Sequence, residues 1–321
     1  MYPIILWKNF RKLNPRWLWW LLHALKGVLL FKQTERIAML ALKVNAKKRD
    51  ETFENKILYK MAFDRNPMLT VYADKVKVRE FVKDRIGTEF LTASFGVFES
   101  IRGLQRSLFP QNFVIKANHG SGAAVICWEG APRGEKIPSD ISGITWQKYL
   151  IHPDDLDWKR LIRLSDKWMT LNYCWDFGRY PEWSYKNIKP LILVEELLLD
   201  GKSLPFDYKF HMINGRCAFI QVDVARYGQH KRNLYSENWN LINAKTPFPR
   251  VTEVLPKPPL LAVMLKVAEA ISRGIDFVRI DLYTVDGRVV FGEMTNYPNG
   301  GLAEIWPKGL SVELAKNWTQ Q

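Results

Sequence analysis

An α+β fold is what this sequence predicts, and three observations carry that expectation. Helical and extended segments are mixed along the chain and do not alternate as strand–helix–strand units. Successive strands are joined by short turns, Asn214-Gly215 inside Asp207–Arg226 and Asp286-Gly287 between Asp276–Tyr283 and Arg288–Thr295. The 321 residues, 47% hydrophobic and 25% charged, suffice for a sizeable core and for two domains or one domain with subdomains.

The elements follow in order. Residues 34–65 read as helical, with few breakers, and Asn66–Leu69 as a turn. Ala73–Gly87 has apolar Val76, Val78, Phe81, Val82 and Ile86 at helical spacing, Asp74 near its start and Gly87 as its stop. A short strand and loop follow. In Phe113–Gly122, FVIKANHGSG, an apolar strand ends in Lys116 and runs into a glycine-broken loop; Ala123–Cys127 reads as the returning strand. The Walker loop has the other order, with glycines before the lysine and a helix after it. Ala131–Gly143 loops out. Thr145–Trp183 reads as helical at first, then aromatic and irregular. Lys189–Leu198 is a continuous apolar run, the pattern of a buried strand, with Glu195 and Glu196 near its end. Asp207–Arg226 reads as a hairpin, Thr246–Pro259 as a Pro-rich loop, and Leu260–Gly274 as an amphipathic helix closed by Gly274.

The net charge of +14 is unevenly spread: residues 1–49 hold eleven Lys and Arg against one acid, Glu35. Within them Asn14–Phe31 is Trp-rich and apolar but interrupted by His23 and Lys26, which falls short of the roughly 20 apolar residues of a membrane crossing. It suits a helix lying in a headgroup layer or docked on a partner, or a core-packed helix with solvated charges. No helix-turn-helix, zinc-finger or RNP pattern accompanies the charge, so nucleic acid is not the expected partner. Cys127, Cys174 and Cys217 have neither metal-ligand spacing nor the look of a disulfide framework, which fits a reducing cytosol, and no signal peptide is expected.

Phe277–Gly301 carries the acidic chemistry. Strand alternation puts Arg279 and Asp281 on one face, and Glu293 and Thr295 on one face of the next strand. A three-residue loop at Asp286–Arg288 sets Asp281 opposite Glu293. A two-residue turn sets them on opposite faces unless a bulge intervenes. Facing carboxylates need a proton, an arginine or a cation between them. Oxygen-only ligands suit magnesium bridging phosphate oxygens, and Arg279 suits charge developing in phosphoryl transfer. The alternative is a surface Asp–Arg–Glu network.

Taken together, DKVKVREFVKDRIG, FVIKANHGSG, EWSYKNIKPLILVEELL, DYKFHMINGR, FVRIDLY and FGEMTNYPNGG, from Asp74 to Gly301, resemble the ATP-grasp superfamily, and within it the TupA-like branch named for teichuronopeptide biosynthesis. The resemblance implies a nucleotide held between two α+β subdomains, with ATP and Mg2+ as cofactors. Lys116 matches the strand lysine on the α- and β-phosphates. Asn118, His119, Gly120, Ser121 and Gly122 match the glycine loop over the phosphates. Val194 to Leu198 match the hinge strand that reads adenine, with Glu195 or Glu196 near its amino group and Leu197 and Leu198 beside it. Asp207 stands for the ribose-binding acid, Lys209 for a lysine reaching the γ-phosphate, and Lys75 for an earlier lysine of the branch. Asp281 and Glu293 match the magnesium carboxylates, and Arg279 the accompanying arginine. Most members end this motif Glu-x-Asn. Here Thr295 stands in the last position, so Thr295, Asn296 or water takes that ligand role.

The resemblance implies an ATP-dependent carboxylate–amine ligase of cell-surface polysaccharide biosynthesis, joining an amine or amino acid to an anionic sugar. The alternatives are a kinase-like or glycosyltransferase-like enzyme of the same pathway, or a non-catalytic scaffold. Tyr185, Arg226, His230 and Arg232 are the substrate-facing candidates, since clustered Arg and His suit a carboxylate or sugar phosphate. The expected organisation is a basic helical extension over 1–50, a pre-grasp region over 51–110, and ATP-grasp subdomains over 111–200 and 201–321. A cytoplasmic protein, peripheral on the inner membrane face, is the expected setting.

Overall fold

The computed structural model describes residues 31–46, 51–175, 180–224 and 230–319. The Trp-rich stretch, apart from Phe31, and the substrate candidate Arg226 lie outside the described residues. In chain order the elements are helices α1 (Phe31–Ala46), α2 (Phe53–Phe63), α3 (Met68–Ala73) and α4 (Lys77–Ile86), strands β1 (Ser94–Phe98), β2 (Phe113–Ala117), β3 (Ala124–Cys127) and β4 (Lys148–Ile151), and helix α5 (Trp158–Met169). Then come β5 (Ile192–Glu196), β6 (Asp207–Ile213), β7 (Arg216–Val224), β8 (Lys231–Tyr235), β9 (Leu241–Ile242), helix α6 (Leu261–Ser272), β10 (Phe277–Val285), β11 (Arg288–Thr295) and helix α7 (Lys308–Ala315).

The strands form two sheets among the described residues, one in the order β1-β5-β2-β3-β4 and one in the order β11-β10-β6-β7-β8-β9. All neighbours are antiparallel except β3 and β4. Each sheet has its own core. In the first, Phe113, Ile115, Val125, Cys127 and Val194 pack with Leu161, Leu164 and Trp168 of α5. In the second, α6 lies on β10, β6 and β7. The opposite face receives α2, whose Phe53 ring meets His211, Phe219 and Phe277 edge-on at 5.5, 5.2 and 5.4 Å. Since side chains alternate, that same face carries Lys209, Gln221, Arg279 and Asp281. One half of it is covered by α2 and the other half looks toward the first sheet.

Local chemistry explains most boundaries. Thr52 caps α2 by accepting from the Asn55 N–H at 3.4 Å. Asp74 Oδ1 accepts from the N–H groups of Val76 and Lys77 at 2.9 and 3.3 Å and starts α4. Gly87, at φ 98°, ends it. Three expectations change. Asn66–Leu69 is less a turn than the entry to α3, because Asn66 Oδ1 accepts from the Met68 N–H at 3.0 Å. Lys148–Ile151, expected helical, is a strand: parallel pairing with β3 outweighs local propensity, and α5 starts only after the Asp157 cap. The β10–β11 turn has two residues, Asp286 at φ 50° and Gly287 at φ 71°, with Val285 paired to Arg288. The extra residue is instead Gly292, bulged between the Asp281–Glu293 and Leu282–Phe291 pairs. That bulge, not an odd loop, sets Asp281 opposite Glu293.

Candidate nucleotide and metal site

Pairing register aligns the chemistry of the second sheet in rows. Glu293, Asp281, Lys209 and Gln221 lie side by side across β11, β10, β6 and β7. Beside them run Asp207, Asp223 and Arg232, and on the other side Thr295, Arg279, His211 and Phe219. Arg279 forks onto Asp281, donating from Nε and Nη2 at 2.6 and 2.8 Å. The Lys209 ammonium pairs closely with Asp207 and stands 3.3 Å from Asp281 and 3.6 Å from Asp223. Asp223 in turn accepts from Arg232 Nε at 2.7 Å and from Gln221 Nε2 at 3.0 and 3.1 Å, and His230 Nε2 lies 3.2 Å away.

Burial raises the cost of every charge here, so partners decide protonation. Burial pushes Asp223 upward, but His230, Arg232 and Lys209 outweigh it and hold the carboxyl far below its ordinary range. Burial also pushes Arg279 downward, and Asp281, then Glu293 and Asp207, more than reverse that. For Asp281 burial drives the pKa up against Arg279 and Lys209; the two-point guanidinium fork is the geometry of the anion. Glu293 is held low, since Lys75, Arg279, Lys148 and Lys209 outweigh its burial.

The opposing cations come from β2, which carries Lys116, and from α4 and the residues before it, which carry Arg79 and Lys75. A narrow cleft between the sheets is bounded by Lys75, Arg79, Lys116 and Glu195 on one side and by the 291–294 stretch with Glu293 on the other. Lys75 donates to the Gly120 carbonyl at 2.6 Å. Its burial pushes the ammonium pKa down, and Glu293 across the cleft works against that shift. Lys116 pairs with Glu195, and Arg79 Nη1 and Thr92 Oγ1 contact the same carboxylate at 2.5 and 3.0 Å. Burial would raise the Glu195 pKa, but Lys116 and Arg79 hold it below the ordinary range.

The glycine loop between β2 and β3 is pinned from both ends. Asn118 donates to Asp74 and to the Lys189 carbonyl at 2.9 and 3.1 Å, and its own amide oxygen accepts from the Leu191 N–H at 2.7 Å. His119 is buried, with Nδ1 3.1 Å from the Asn118 amide oxygen and Nε2 3.1 Å from the Trp168 carbonyl. A Cβ on Gly120 would sit 2.3 Å from the Trp146 ring, and one on Gly122, at φ 110°, 2.1 Å from the Trp146 carbonyl. The chain therefore needs glycine where it crosses Trp146.

Several sequence expectations change at the level of side chains. Asn118 and His119 turn inward to hold the loop, while Gly120 is buried, Ser121 exposed and Gly122 half-buried. Glu195 does not stand free for an adenine amino group, because two cations take its carboxylate. Glu196 closes β5, its carboxylate 3.4 Å from the Ala93 N–H, and Leu197 and Leu198 follow half-buried. Asp207 is bound to Lys209. His230 and Arg232 attend the chain's own Asp223, and Phe248 packs against both, its ring tilted 42° to the His230 ring at 4.3 Å and lying 4.2 Å under the Arg232 guanidinium, so neither is an uncommitted acceptor contact. Tyr185 is buried with Tyr173, ring centroids 4.7 Å apart, and its phenol is held protonated chiefly by burial.

Sequence reasoning missed Arg79, Lys148, Trp146, His211 and Asp223. Arg79 carried a signal, standing one helical turn after Lys75. Asp223 carried another, alternating with apolar neighbours in a buried strand. For a metal, no group of three or more His, Cys, Asp or Glu is arranged to hold one by itself among the described residues. Asp281 and Glu293 face each other, however, and Thr295 Oγ1 beside them is buried with no hydrogen-bond partner. Two carboxylates and a hydroxyl completed by phosphate oxygens and water fit magnesium.

A chain with this fold, its two sheets opposing lysines and carboxylates across a cleft, is an ATP-grasp protein. The TupA-like ATPgrasp family model matches residues 53–317, and the chain belongs to that family. This bears out the family and fold expected from the sequence. No curated protein matches. Among solved structures, the chain is similar to the ATP-grasp ligase PsnB complexed with a phosphomimetic variant of its minimal precursor, Mg and ADP, at 12% identity and a TM-score of 0.40, covering 79% of this chain and 61% of that one. It is also similar to the D-alanine–D-alanine ligase from Bacillus anthracis, at 13% identity and 0.37 over 71% and 59%, and to that from Helicobacter pylori, at 12% and 0.35 over 78% and 62%. The chain spans about three fifths of the length of each.

Proposed function

We propose that the protein is an ATP-dependent carboxylate–amine ligase, forming an amide through an acyl phosphate. The observation that carries this reading is the row Glu293–Asp281–Lys209, faced across the cleft by Lys75 and Lys116. Lys116 and the N–H groups of Gly120–Gly122 hold the phosphates, and Lys116 exchanges Glu195 for phosphate oxygen as ATP enters. Lys75, tied to the Gly120 carbonyl, steadies the loop above them. Asp281, Glu293 and Thr295 would hold magnesium, which would neutralise the phosphate charge during transfer. Arg279, fixed by its fork on Asp281, stabilises charge on the phosphoryl group as the acceptor carboxylate attacks it. An amine then attacks the acyl carbon and phosphate leaves.

The acceptor in this reading is an anionic sugar or polysaccharide, a uronic acid first of all, and the amine an amino acid. The net charge of +14 favours such a substrate. The basic, Trp-rich stretch over 14–31 supports a cytoplasmic protein docked on the inner membrane face. Among the described residues no helix is long and apolar enough to cross a membrane.

The test is incubation with ATP, magnesium, uronic-acid acceptors and amino acids. The expected result is ADP and free phosphate in equal amounts with an amide product. ADP and a phosphorylated acceptor without free phosphate makes the protein a kinase, and silence over a broad acceptor panel rejects the ligase. Nucleotide binding is checked separately by calorimetry on Lys116→Ala. Loss of one charge-assisted phosphate contact should weaken ATP by about 10- to 100-fold, and unchanged affinity removes Lys116 from the site.

A further inference from the structure

On the back of the second sheet, away from the nucleotide site, a groove gathers cations that no side chain of the described residues neutralises. We propose that this groove binds a linear polyanion, a stretch of uronic-acid polymer, and so holds a polymeric acceptor on the protein. The choice of polymer rests on the anionic acceptor of the reading above.

The groove lies where the β6–β7 turn meets the last turns of α6, and its volume is about 480 Å3, within the range of ligand sites. The turn consists of Asn214 at φ 50° and Gly215 at φ 77°. It is fixed from behind: the Asn214 N–H donates to the Asp276 carbonyl at 2.8 Å, and its side-chain amide donates to the Asn317 carbonyl at 2.7 Å. A Cβ on Gly215 would come within 3.8 Å of Arg273 Cα and of the Ser272 carbonyl oxygen, so the turn abuts the helix end. Ala270 and Gly274 line the same groove, and such small residues leave its floor open.

Arg216 at the start of β7, Lys266 on α6 and Arg273 at the helix C-cap are exposed and line the groove. None of the three makes an ion pair or a side-chain hydrogen bond among the described residues. Glu269 stands three residues from Lys266 and four from Arg273, yet it pairs with neither. The nucleotide site is different: Lys116, Lys209, Arg232 and Arg279 all sit on carboxylates. Free carbonyls at a helix C-terminus repel anions. Here Arg85 Nη1 reaches the carbonyls of Ala270, Ile271 and Arg273 at 3.4, 2.9 and 2.7 Å. That contact offsets the repulsion and adds a positive charge at the helix end.

The shape and chemistry select the occupant. Lys266 and Arg273 stand about 10 Å apart along the helix axis, a spacing that carboxylates repeated along a chain match better than one small anion does. The lining has no aromatic ring on which a base could stack. It also has no large apolar side chain to enter a lipid layer. The turn is five residues on from Lys209, roughly 17 Å along β6, and α6 lies on the other face of the sheet from Lys209. The groove therefore grips a polymer at a distance from the reacting end and touches no reacting atom.

The test is calorimetric titration of polygalacturonate into the full chain at low salt, without nucleotide. Wild type is compared with a groove variant that combines Arg216→Gln, Lys266→Gln and Arg273→Gln. A control variant combines Lys136→Gln, Lys159→Gln and Arg163→Gln, three exposed cations between β3 and the end of α5. The groove variant should bind polygalacturonate about 10-fold or more weakly with ATP affinity unchanged, and the control should lose no more than about 3-fold. Equal loss in both variants, or no binding by wild type, overturns the proposal. So does a groove-dependent affinity that is higher for a single-stranded oligonucleotide, or for phosphatidylglycerol vesicles, than for polygalacturonate. In turnover the groove variant should raise KM for the polymer by a similar factor and leave the galacturonate monomer at the wild-type rate. Equal loss with the monomer overturns the proposal as well. A wild type that binds the polymer through the groove and forms no amide overturns the ligase reading and leaves the groove standing.

Discussion

Lys209 stands between three carboxylates, Asp207, Asp223 and Asp281, and that position shows how charges survive in this interior. Each anion has a cation, and removal of one partner leaves the other buried and unpaired. Asp281→Asn and Glu293→Gln keep shape and lose charge. Each should abolish turnover, while metal-free nucleotide binding survives or strengthens, since a negative charge facing the phosphates has gone. Turnover assays paired with calorimetry check this, and an active Asp281→Asn enzyme refutes the metal assignment. The same pairing sets the response to acid. Asp223 and Glu195 have folded pKa values below their unfolded ones. Their contribution is therefore present above the ordinary carboxylate range near pH 4 and is lost as pH falls below it. Glu54, raised chiefly by burial, has the opposite sign. Melting temperature should be flat above about pH 5 and fall below about pH 4. Glu195→Gln should flatten that fall, and an unchanged acid limb in the variant contradicts the assignment.

Two glycine-dependent backbone features carry the elements into the site. The first is the bulge at Gly292, where a Cβ would lie 2.6 Å from the Tyr283 ring and 3.1 Å from the Asp281 carbonyl. The bulge turns a two-residue hairpin, which alone sets Asp281 and Glu293 on opposite faces, into one that sets them opposite each other. The second is the crossing of the glycine loop over Trp146. Gly122→Ala asks an L-residue to hold φ 110° with its Cβ 2.1 Å from a backbone oxygen, and backbone cannot move aside as a side-chain tip can. The loop should shift, weakening ATP by about tenfold or more while the strands stay paired. Calorimetry with far-ultraviolet dichroism checks this, and wild-type affinity would mean that the loop does not face the phosphates. The sequence showed where a glycine loop lay and that its backbone was free to bend. It did not show that Asn118 and His119 are anchors, because their partners at Asp74, Lys189 and Trp168 are distant in the chain.

On the scale of the whole molecule, two separately cored sheets meet at a cleft where Lys116 of the first and Lys75 and Arg79 of the α4 segment face Glu293 of the second. The contacts that cross it, such as Lys75 toward Glu293, are electrostatic more than apolar. The basic stretch over 1–31, proposed above as the membrane-docking segment, belongs to this scale too. Removal of those residues should lower binding to anionic vesicles several-fold, most clearly at low salt, and leave ATP affinity unchanged. Flotation with phosphatidylserine-containing vesicles reads the first and calorimetry the second. Equal partitioning of truncated and intact protein refutes the docking.

What the sequence determined by itself is what short-range chemistry encodes. The α+β class follows from mixed periodicities and tight turns. The strand-end lysine, the glycine loop and the alternation of Arg279 with Asp281 are legible within a few residues of each other, and so is the family they resemble. Tertiary structure alone decided the partners. The Lys116–Glu195–Arg79 set, the gathering of Asp223 and Asp281 on Lys209 and the commitment of His230 and Arg232 to Asp223 are made between neighbouring strands, or from a helix or loop onto a strand. Register is set by packing over the whole sheet, and a single bulged residue reverses which face a side chain takes. No local pattern in FGEMT announces that reversal. It appears only when β11 is laid against β10 with its apolar face on the core.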